Sequence, residues 1–160
     1  MKVVIAYPPL QSDKGTPLLS QNRQFQWFSN PTYIYPVIPA YAATMLQDKG
    51  FEVFWLDGIA SQQNFEGWFR QLKKIKPDLV FIETKTPVIK RHWQIIAKLK
   101  KELQCHVALA GDHVTALPEE SFEKSIVDFV LTGGDYDFLL LNLALYLAGK
   151  EKLEPGIWYR

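Results

Sequence analysis

Residues 78–110, DLVFIETKTPVIKRHWQIIAKLKKELQCHVALA, carry the pattern that decides the fold. The stretch opens with a short, mostly apolar run at residues 78–83 and closes with another at residues 106–110. Continuous apolar runs of this length are typical of strands buried on both faces of a sheet. Between them, residues 87–104 repeat large apolar residues at helical spacing, with lysines off the apolar stripe. The stretch therefore predicts a strand, a helix and a second strand.

The same alternation extends along the whole chain. Strands are predicted at residues 2–7, 51–56, 78–83, 106–110 and 127–132. Helices are predicted at residues 39–49, 61–76 (with Ser61 as the cap), 87–104, 118–125 and 135–148. Alternating strands and helices with short connections specify a parallel sheet covered by helices on both faces. We therefore predict a flavodoxin-like, doubly wound α/β fold, with a five-stranded parallel sheet of order 2-1-3-4-5 in three α/β/α layers.

Size and composition restrict the classes of protein that fit. The chain has 160 residues, of which 48% are hydrophobic and 22% charged, as in one globular domain. Its net charge of +1 gives no indication of a basic surface for nucleic acid. No apolar stretch is long enough to cross a bilayer, and the early prolines do not fit a signal peptide. We therefore expect a cytoplasmic protein.

Cysteine and histidine usage argues against a metal site within the chain. Cys105 is the single cysteine and is predicted to be a small core residue, so a disulfide and a cysteine-ligated zinc or iron–sulfur centre are excluded. His92 and His106 are predicted to lie on a helix surface and at a strand edge. The three histidines show no metal-ligand spacing on one helix face.

One connection is far longer than the others. Residues 10–36 separate the first strand from the first helix and are rich in aromatic side chains, namely Phe25, Trp27, Phe28, Tyr33 and Tyr35. Long connections are usually functional or disordered, and disorder fits poorly with so many aromatic residues. We predict a lid over a ligand or a surface that docks another domain.

The loops after the strands are the candidate ligand site, because ligands of this architecture lie at the carboxyl ends of the strands. After the first strand, Pro8 and Pro9 offer no N–H group to a phosphate, so dinucleotide, phosphate-loop, receiver and flavodoxin patterns all fail there. The later loops are rich in hydroxyls and small residues, which suit a long polar ligand lying close to the backbone. The predicted contacts in these later loops are Glu83, Thr84, Lys85, Thr86, Ala110, Gly111, Asp112, His113, Thr132, Gly133 and Gly134.

Structural alternatives exist for several of these residues. Thr84 and Thr86 also suit helix caps, and a Gly-Gly pair also suits a tight turn. Glu83, at the end of a buried strand, needs a partner, for which Lys85 or a loop N–H is the simplest prediction. Asp112 and His113 are adjacent, so we interpret them as residues that position the loop and not as an acid–base pair. In that role His113 would contact the ligand or cap the backbone.

Five blocks follow one another along the chain: YPP at residues 7–9, YPVIPAYAA at 35–43, ETKTP at 83–87, GDHVTALPEE at 111–120 and GGD at 133–135. In this order they resemble the amino-terminal cobalamin (B12)-binding domain of B12-dependent radical SAM enzymes, including members of hopanoid-type lipid biosynthesis. The resemblance implies a corrin lying across the strand ends, with the nucleotide tail entering the domain. It adds Pro8, Pro9, Tyr35 and Pro36 to the predicted cofactor contacts.

The turns after the fourth and fifth strands differ from the family's usual Gly-Gly and Gly-Glu-Gly-Glu-like turns, and two motifs are absent. The Asp-x-His-x-x-Gly motif that supplies a cobalt ligand in methionine-synthase-like domains is absent, so cobalamin is expected without a histidine lower ligand. The Cys-x-x-x-Cys-x-x-Cys motif is absent too, so the 4Fe-4S cluster and S-adenosylmethionine would belong to a separate catalytic domain of the same polypeptide. Residues 1–155 are then the binding domain, and residues 156–160 are an extra edge strand or the start of a linker. This chain alone is expected to bind but not to catalyse.

The last predicted helix is apolar almost all round, so its own domain, an absent domain or a second copy of the chain in a dimer must cover it. Two other functions remain open on the residues. One is a cofactor-free flavodoxin-like interaction or regulatory domain. The other is a flavin or nucleotide enzyme with an atypical loop.

Overall fold

The computed structural model describes residues 1–10, 12–19 and 25–160; residue 11 and residues 20–24, within the long connection, lie outside the described part. The strands are β1 (Lys2–Tyr7), β2 (Thr16–Leu18), β3 (Gln26–Phe28), β4 (Glu52–Asp57), β5 (Leu79–Glu83), β6 (His106–Ala110), β7 (Phe129–Leu131) and β8 (Ile157–Tyr159). The helices are α1 (Val37–Asp48), α2 (Phe65–Ile75), α3 (Ile89–Glu102), α4 (Asp112–Ala116), α5 (Pro118–Lys124) and α6 (Tyr136–Leu147).

The main sheet has six strands in the order β4-β1-β5-β6-β7-β8. All neighbouring pairs are parallel except β7 and β8, which are antiparallel. The prediction of a mostly parallel α/β sheet is confirmed, but the predicted number of strands is wrong. The sixth strand is the antiparallel β8, which lies within residues 156–160, where an extra edge strand was one of the two alternatives.

Alternate residues of each central strand enter two different cores. Val3 and Ile5 of β1 pack on one face with α1 and α6, while Val4 and Ala6 pack on the other with α2 and α3. Both faces are therefore apolar and buried, which is why the strands read as continuous rather than alternating apolar runs.

The chain terminus resolves one alternative. Residues 157–159 form β8, in which Ile157 is buried, and both the N–H and the hydroxyl of Thr132 donate to the Gly156 carbonyl, at 2.9 and 3.0 Å. These residues are thus an edge strand of the sheet. A linker leading onward from that strand stays a prediction.

Two helix starts differ from the sequence-based expectation. Helix α2 is capped by Asn64, whose Oδ1 accepts from the N–H of Gly67 at 2.8 Å, and not by Ser61. Asn64 has the extended backbone that an N-cap needs. Helix α3 has Val88 at its N-cap and no side-chain cap, so Thr84 and Thr86 do not cap it.

The long connection contains a small antiparallel hairpin, β2–β3, with Thr16 opposite Phe28. The ring of Trp27 lies edge-on to Phe25, with ring centres 5.3 Å apart, and Arg91 lies over its face. After the hairpin, several large apolar side chains are exposed: Tyr33, Ile34, Tyr35, Val37 and Tyr41. A lid or docking role for this segment stays a prediction.

Helix α6 is covered largely by its own domain. It packs against α1 and buries Leu140, Leu143 and Ala144, while Phe138 and Tyr146 are exposed. Its one buried amide, Asn142, bonds the backbone at Lys152 and Glu154, so it is satisfied within the chain. A dimer through α6 stays a prediction. Among the described helices, none has the length and apolarity that a membrane span needs.

Candidate functional site at the carboxyl edge of the sheet

The buried carboxylate of Glu83, the last residue of β5, links the ends of β1 and β5 by hydrogen bonds. The hydroxyl of Tyr7, the last residue of β1, donates to Glu83 Oε2 at 2.6 Å, and Tyr136 at the start of α6 also bonds this carboxylate. Burial raises the pKa of Glu83, partly offset by these hydrogen bonds. Burial, with the neighbouring Glu83, also raises the pKa of both tyrosines, so both phenols stay protonated as donors.

The hydrogen-bond partners of Glu83 are therefore these tyrosines and not the predicted Lys85 or a loop N–H, although the charge of Lys85 also lowers the pKa of Glu83. Lys85 is two residues further along and bonds Asp112 instead, with Nζ 2.7 Å from Oδ2. The partner Tyr7 comes from the adjacent strand β1, which no local pattern can reveal. Lys85 is buried while the Asp112 side chain is 61% exposed, so this ion pair reaches from the sheet to the surface.

Thr84 links three parts of this edge. Its hydroxyl lies 2.7 Å from Nδ1 of His92, and its N–H donates to the Ala110 carbonyl at 2.8 Å. Its own carbonyl lies against Gly111, where a Cβ atom would overlap it. Gly111 also has φ of +118°, outside the range of other residues. On the side of Gly111 where a Cβ would stand, the protein's own backbone therefore occupies the space that was expected to admit a ligand.

His92 is fully buried, and its predicted place on a helix surface is wrong. The face of α3 that carries it packs beneath the loop after β5, a detail that helical spacing alone does not determine. Burial lowers the pKa of His92 to about 3, so the ring is neutral. Its Nε2 atom is buried and has no hydrogen-bond partner among the described residues.

His113 lies in α4, a short helix where a loop was predicted. The side chain is 6% exposed, with Nδ1 3.2 Å from Thr86 Oγ1 and Nε2 3.0 Å from Glu120 Oε2. Thr86 is exposed at the edge of the sheet. Sequence reasoning assigned Glu120 only to the start of a helix; its position seven residues after His113 gave no signal of this contact.

The turn after β7 is exposed and has open space around it. Gly133 and Gly134 are exposed, and a Cβ added to either would meet nothing within 4 Å. Gly133 has φ of +97° and donates its N–H to Thr115 Oγ1 at 3.0 Å, so the turn itself favours glycine there. Gly134 has no such backbone requirement. The open space above it is therefore available to a ligand.

Pro8 and Pro9 terminate β1 and are buried. The ring of Pro9 lies where a Cβ on Gly58 would stand, and the Gly58 N–H donates to the Tyr7 carbonyl at 2.8 Å. These two prolines thus lie beneath the carboxyl edge, where Pro9 packs against Gly58.

A cavity of about 780 Å³ lies beside this edge, between the ends of β1 and β4 and the long connection. Tyr35 and Pro36 are the predicted contacts that line it, together with aromatic side chains that include Tyr7, Tyr33 and Trp55. Asp57 stands at its wall, accepts from the N–H groups of residues 59 and 60, and has a pKa raised by burial. The sequence signals for this cavity were the aromatic content of the long connection and the resemblance that added Tyr35 and Pro36 to the predicted contacts.

Most of the predicted contacts fall into three regions of this edge, of which the first is the cavity lined by Tyr35 and Pro36. Thr86, Asp112, Gly133 and Gly134 are exposed around the ends of β5–β7. Glu83, Thr84, Lys85, Ala110, Gly111 and His113 are buried beneath them. No group of three or more histidine, cysteine or carboxylate side chains in the described part of the chain could hold a metal ion.

Comparisons with solved structures support the α/β fold. No protein-family model matches the chain. An uncharacterized methyltransferase of Pyrococcus horikoshii is 30% identical over 129 residues, a match that covers 78% of this chain and 28% of that protein. The structure of TsrM from Kitasatospora setae, a radical S-adenosylmethionine methyltransferase with cobalamin and a [4Fe-4S] cluster bound, has a TM-score of 0.70 at 17% identity.

The TsrM match covers 99% of this chain and 26% of the TsrM chain. A second TsrM structure, with tryptophan and a SAM analogue bound, gives a TM-score of 0.67 at 20% identity, over 79% of this chain and 26% of that chain. The chain thus spans about a quarter of the length of the proteins it matches. At these identities the structural likeness shows a shared fold.

Proposed function

We propose that this chain is the cobalamin-binding domain of a B12-dependent radical SAM enzyme. The observation that carries the proposal is the open edge above β5–β7, on a fold shared over 99% of the chain with TsrM, whose structure contains cobalamin. Ligands of doubly wound folds bind at this edge. The likeness to an uncharacterized methyltransferase supports methyl transfer as the reaction of the intact enzyme, with redox chemistry as the alternative.

The exposed groups of the edge fit a corrin. A corrin ring is broad and carries amide side chains, so it needs open space together with hydrogen-bond donors and acceptors. Gly133 and Gly134 leave the space open, while Thr86 and Asp112 present a hydroxyl and a carboxylate. Beneath them, the hydrogen bonds of Glu83 and Thr84 fix the loops that carry these groups.

The histidines fit a cobalamin held without a histidine ligand. Both ring nitrogens of His113 are engaged by Thr86 and Glu120, and His92 is buried. His106 is the first residue of β6, at the opposite edge of the sheet. None of the three histidines of the chain therefore presents a free imidazole at the carboxyl edge.

A separate domain would complete the enzyme. When bound, cobalamin supplies a cobalt centre that carries a methyl group or electrons. The residues of this chain would position that centre, and a separate catalytic domain of the same polypeptide would hold the iron–sulfur cluster and S-adenosylmethionine. The exposed side chains of Tyr33, Tyr35 and Tyr41 are the surface we assign to that domain.

The test is retention of hydroxocobalamin. The purified chain is mixed with hydroxocobalamin and desalted, and its visible spectrum is recorded; we expect corrin absorbance to remain with the protein. In Gly134→Leu, the new side chain occupies the open space without a clash, so the fold is kept and retention is lost. Ala148→Leu, at the far end of α6, is the matched control and should retain cobalamin.

Loss of all corrin absorbance from the wild-type protein would contradict the proposal and favour a cofactor-free interaction domain. A flavin spectrum after purification would instead favour the flavin enzyme.

A further inference from the structure

Thr86, His113 and Glu120 form a hydrogen-bonded chain in which the buried His113 joins the half-buried Glu120 to the exposed Thr86. Glu120 Oε2 lies 3.0 Å from Nε2 of His113, and Nδ1 of the same ring lies 3.2 Å from Thr86 Oγ1. The ring of Trp93 lies edge-on to His113, with ring centres 6.2 Å apart, and limits its rotation. The neighbouring charges, Lys85 and Asp112, are paired with each other.

With His113 neutral, the chemistry of the three groups fixes the direction of both hydrogen bonds. A carboxylate only accepts, so Nε2 of His113 must carry the proton that faces Glu120. In a neutral imidazole the other nitrogen then has a lone pair and must accept. The donor to Nδ1 is therefore the hydroxyl of Thr86, whose hydrogen points inward.

We propose that Glu120 and His113 are positioning residues that fix Thr86 as a hydrogen-bond acceptor for ligand N–H groups at the carboxyl edge. With its hydrogen engaged, the exposed Thr86 oxygen presents only lone pairs outward. It would favour a primary amide or amine on the ligand over a carboxylate or carbonyl. This assignment rests on the proposed function, since the amide side chains of a corrin supply such N–H groups.

The direction of the relay can be measured without any ligand. The chain is labelled with ¹⁵N-histidine, and long-range ¹H–¹⁵N spectra are recorded at pH 8, with His113 assigned by the loss of its signals in His113→Asn. We expect the neutral ring protonated on Nε2. A ring protonated on Nδ1, or on both nitrogens, would overturn the inference, because Thr86 would then accept from the ring.

The consequence for binding is measured by equilibrium dialysis with hydroxocobalamin. Glu120→Gln replaces an obligate acceptor by a group that also donates, so the tautomer is no longer fixed and we expect binding about fivefold weaker, as for one hydrogen bond lost. Glu119→Gln removes the same charge from the same helix turn and should bind like wild type. Thr86→Val should also bind about fivefold more weakly.

The double variant separates a relay from a structural effect. If Glu120 acts through Thr86, Glu120→Gln should add nothing in a Thr86→Val background. A further fivefold loss there, or wild-type binding by both single variants, would overturn the inference. Failure of the wild-type chain to bind hydroxocobalamin would instead overturn the proposed function and the ligand assigned to Thr86, while the histidine spectrum still decides the direction of the relay.

Discussion

Substitution of Gly111 by alanine tests the close contact between Gly111 and the Thr84 carbonyl, which joins the loops after β5 and β6. Gly111 has φ of +118° and ψ of −178°, a region that is essentially restricted to glycine and costs other residues about 1–3 kcal/mol. The new Cβ would also overlap the Thr84 carbonyl, well inside the 3.0 Å limit that real Cβ atoms respect. Forcing buried backbone apart adds about 1–3 kcal/mol. We expect Gly111→Ala to lose about 4 kcal/mol of unfolding free energy.

Two other glycines of the same edge provide matched controls. Gly133 has φ of +97° but open space around its Cβ position, so Gly133→Ala should show the backbone cost alone, about 1–2 kcal/mol. Gly134 has neither constraint, so Gly134→Ala should lie within about 0.5 kcal/mol of wild type. The three variants thus separate backbone strain from the clash with Thr84.

The assay is urea unfolding followed by circular dichroism, with melting temperature as a second measure. At about 3 °C per kcal/mol for a domain of this size, Gly111→Ala should melt about 12 °C below wild type. Equal urea midpoints for Gly111→Ala and Gly133→Ala would refute the reasoning, because the Thr84 carbonyl would then not stand against Gly111.

Three further predictions concern the core and the edges. Burial raises the pKa of Glu83 in the folded protein. The contribution of Glu83 to stability is therefore greatest below its pKa in the unfolded chain, and it falls as the pH rises through its pKa in the folded protein. The unfolding free energy of wild type relative to Glu83→Gln should be higher at pH 4.5 than at pH 7. In urea unfolding, replacement of the buried Leu140 by alanine should lower the unfolding free energy by about 3 kcal/mol, and replacement of the exposed Phe138 by less than about 0.5 kcal/mol. A larger loss for Phe138→Ala that depends on protein concentration would indicate that a second copy covers α6. Ile157→Ala should cost about 2 kcal/mol and Tyr159→Ala far less, whereas equal urea midpoints would mean that residues 157–159 are not an edge strand.

Local chemistry was enough to determine the repeating units of this protein. Apolar runs such as that of β5 are continuous because both faces of the sheet are covered. The residue types alone therefore indicate a strand that is buried on both faces. The loops that meet at the carboxyl edge could be named for the same reason, since parallel strands place all their ends together. The prolines after β1 argue against the common phosphate-binding loops, because they offer no N–H group there.

The contacts within the edge were decided by tertiary structure. The partner of Glu83 is Tyr7, a residue 76 positions away on the neighbouring strand, and the space at Gly111 is filled by the Thr84 carbonyl. His92 was assigned to the surface because helical spacing gives a face but not what covers it. The relay from Glu120 through His113 likewise depends on how two short helices pack. Sequence determines which side chains reach the edge, while the packing of loops against each other decides which of them remain free to meet a ligand.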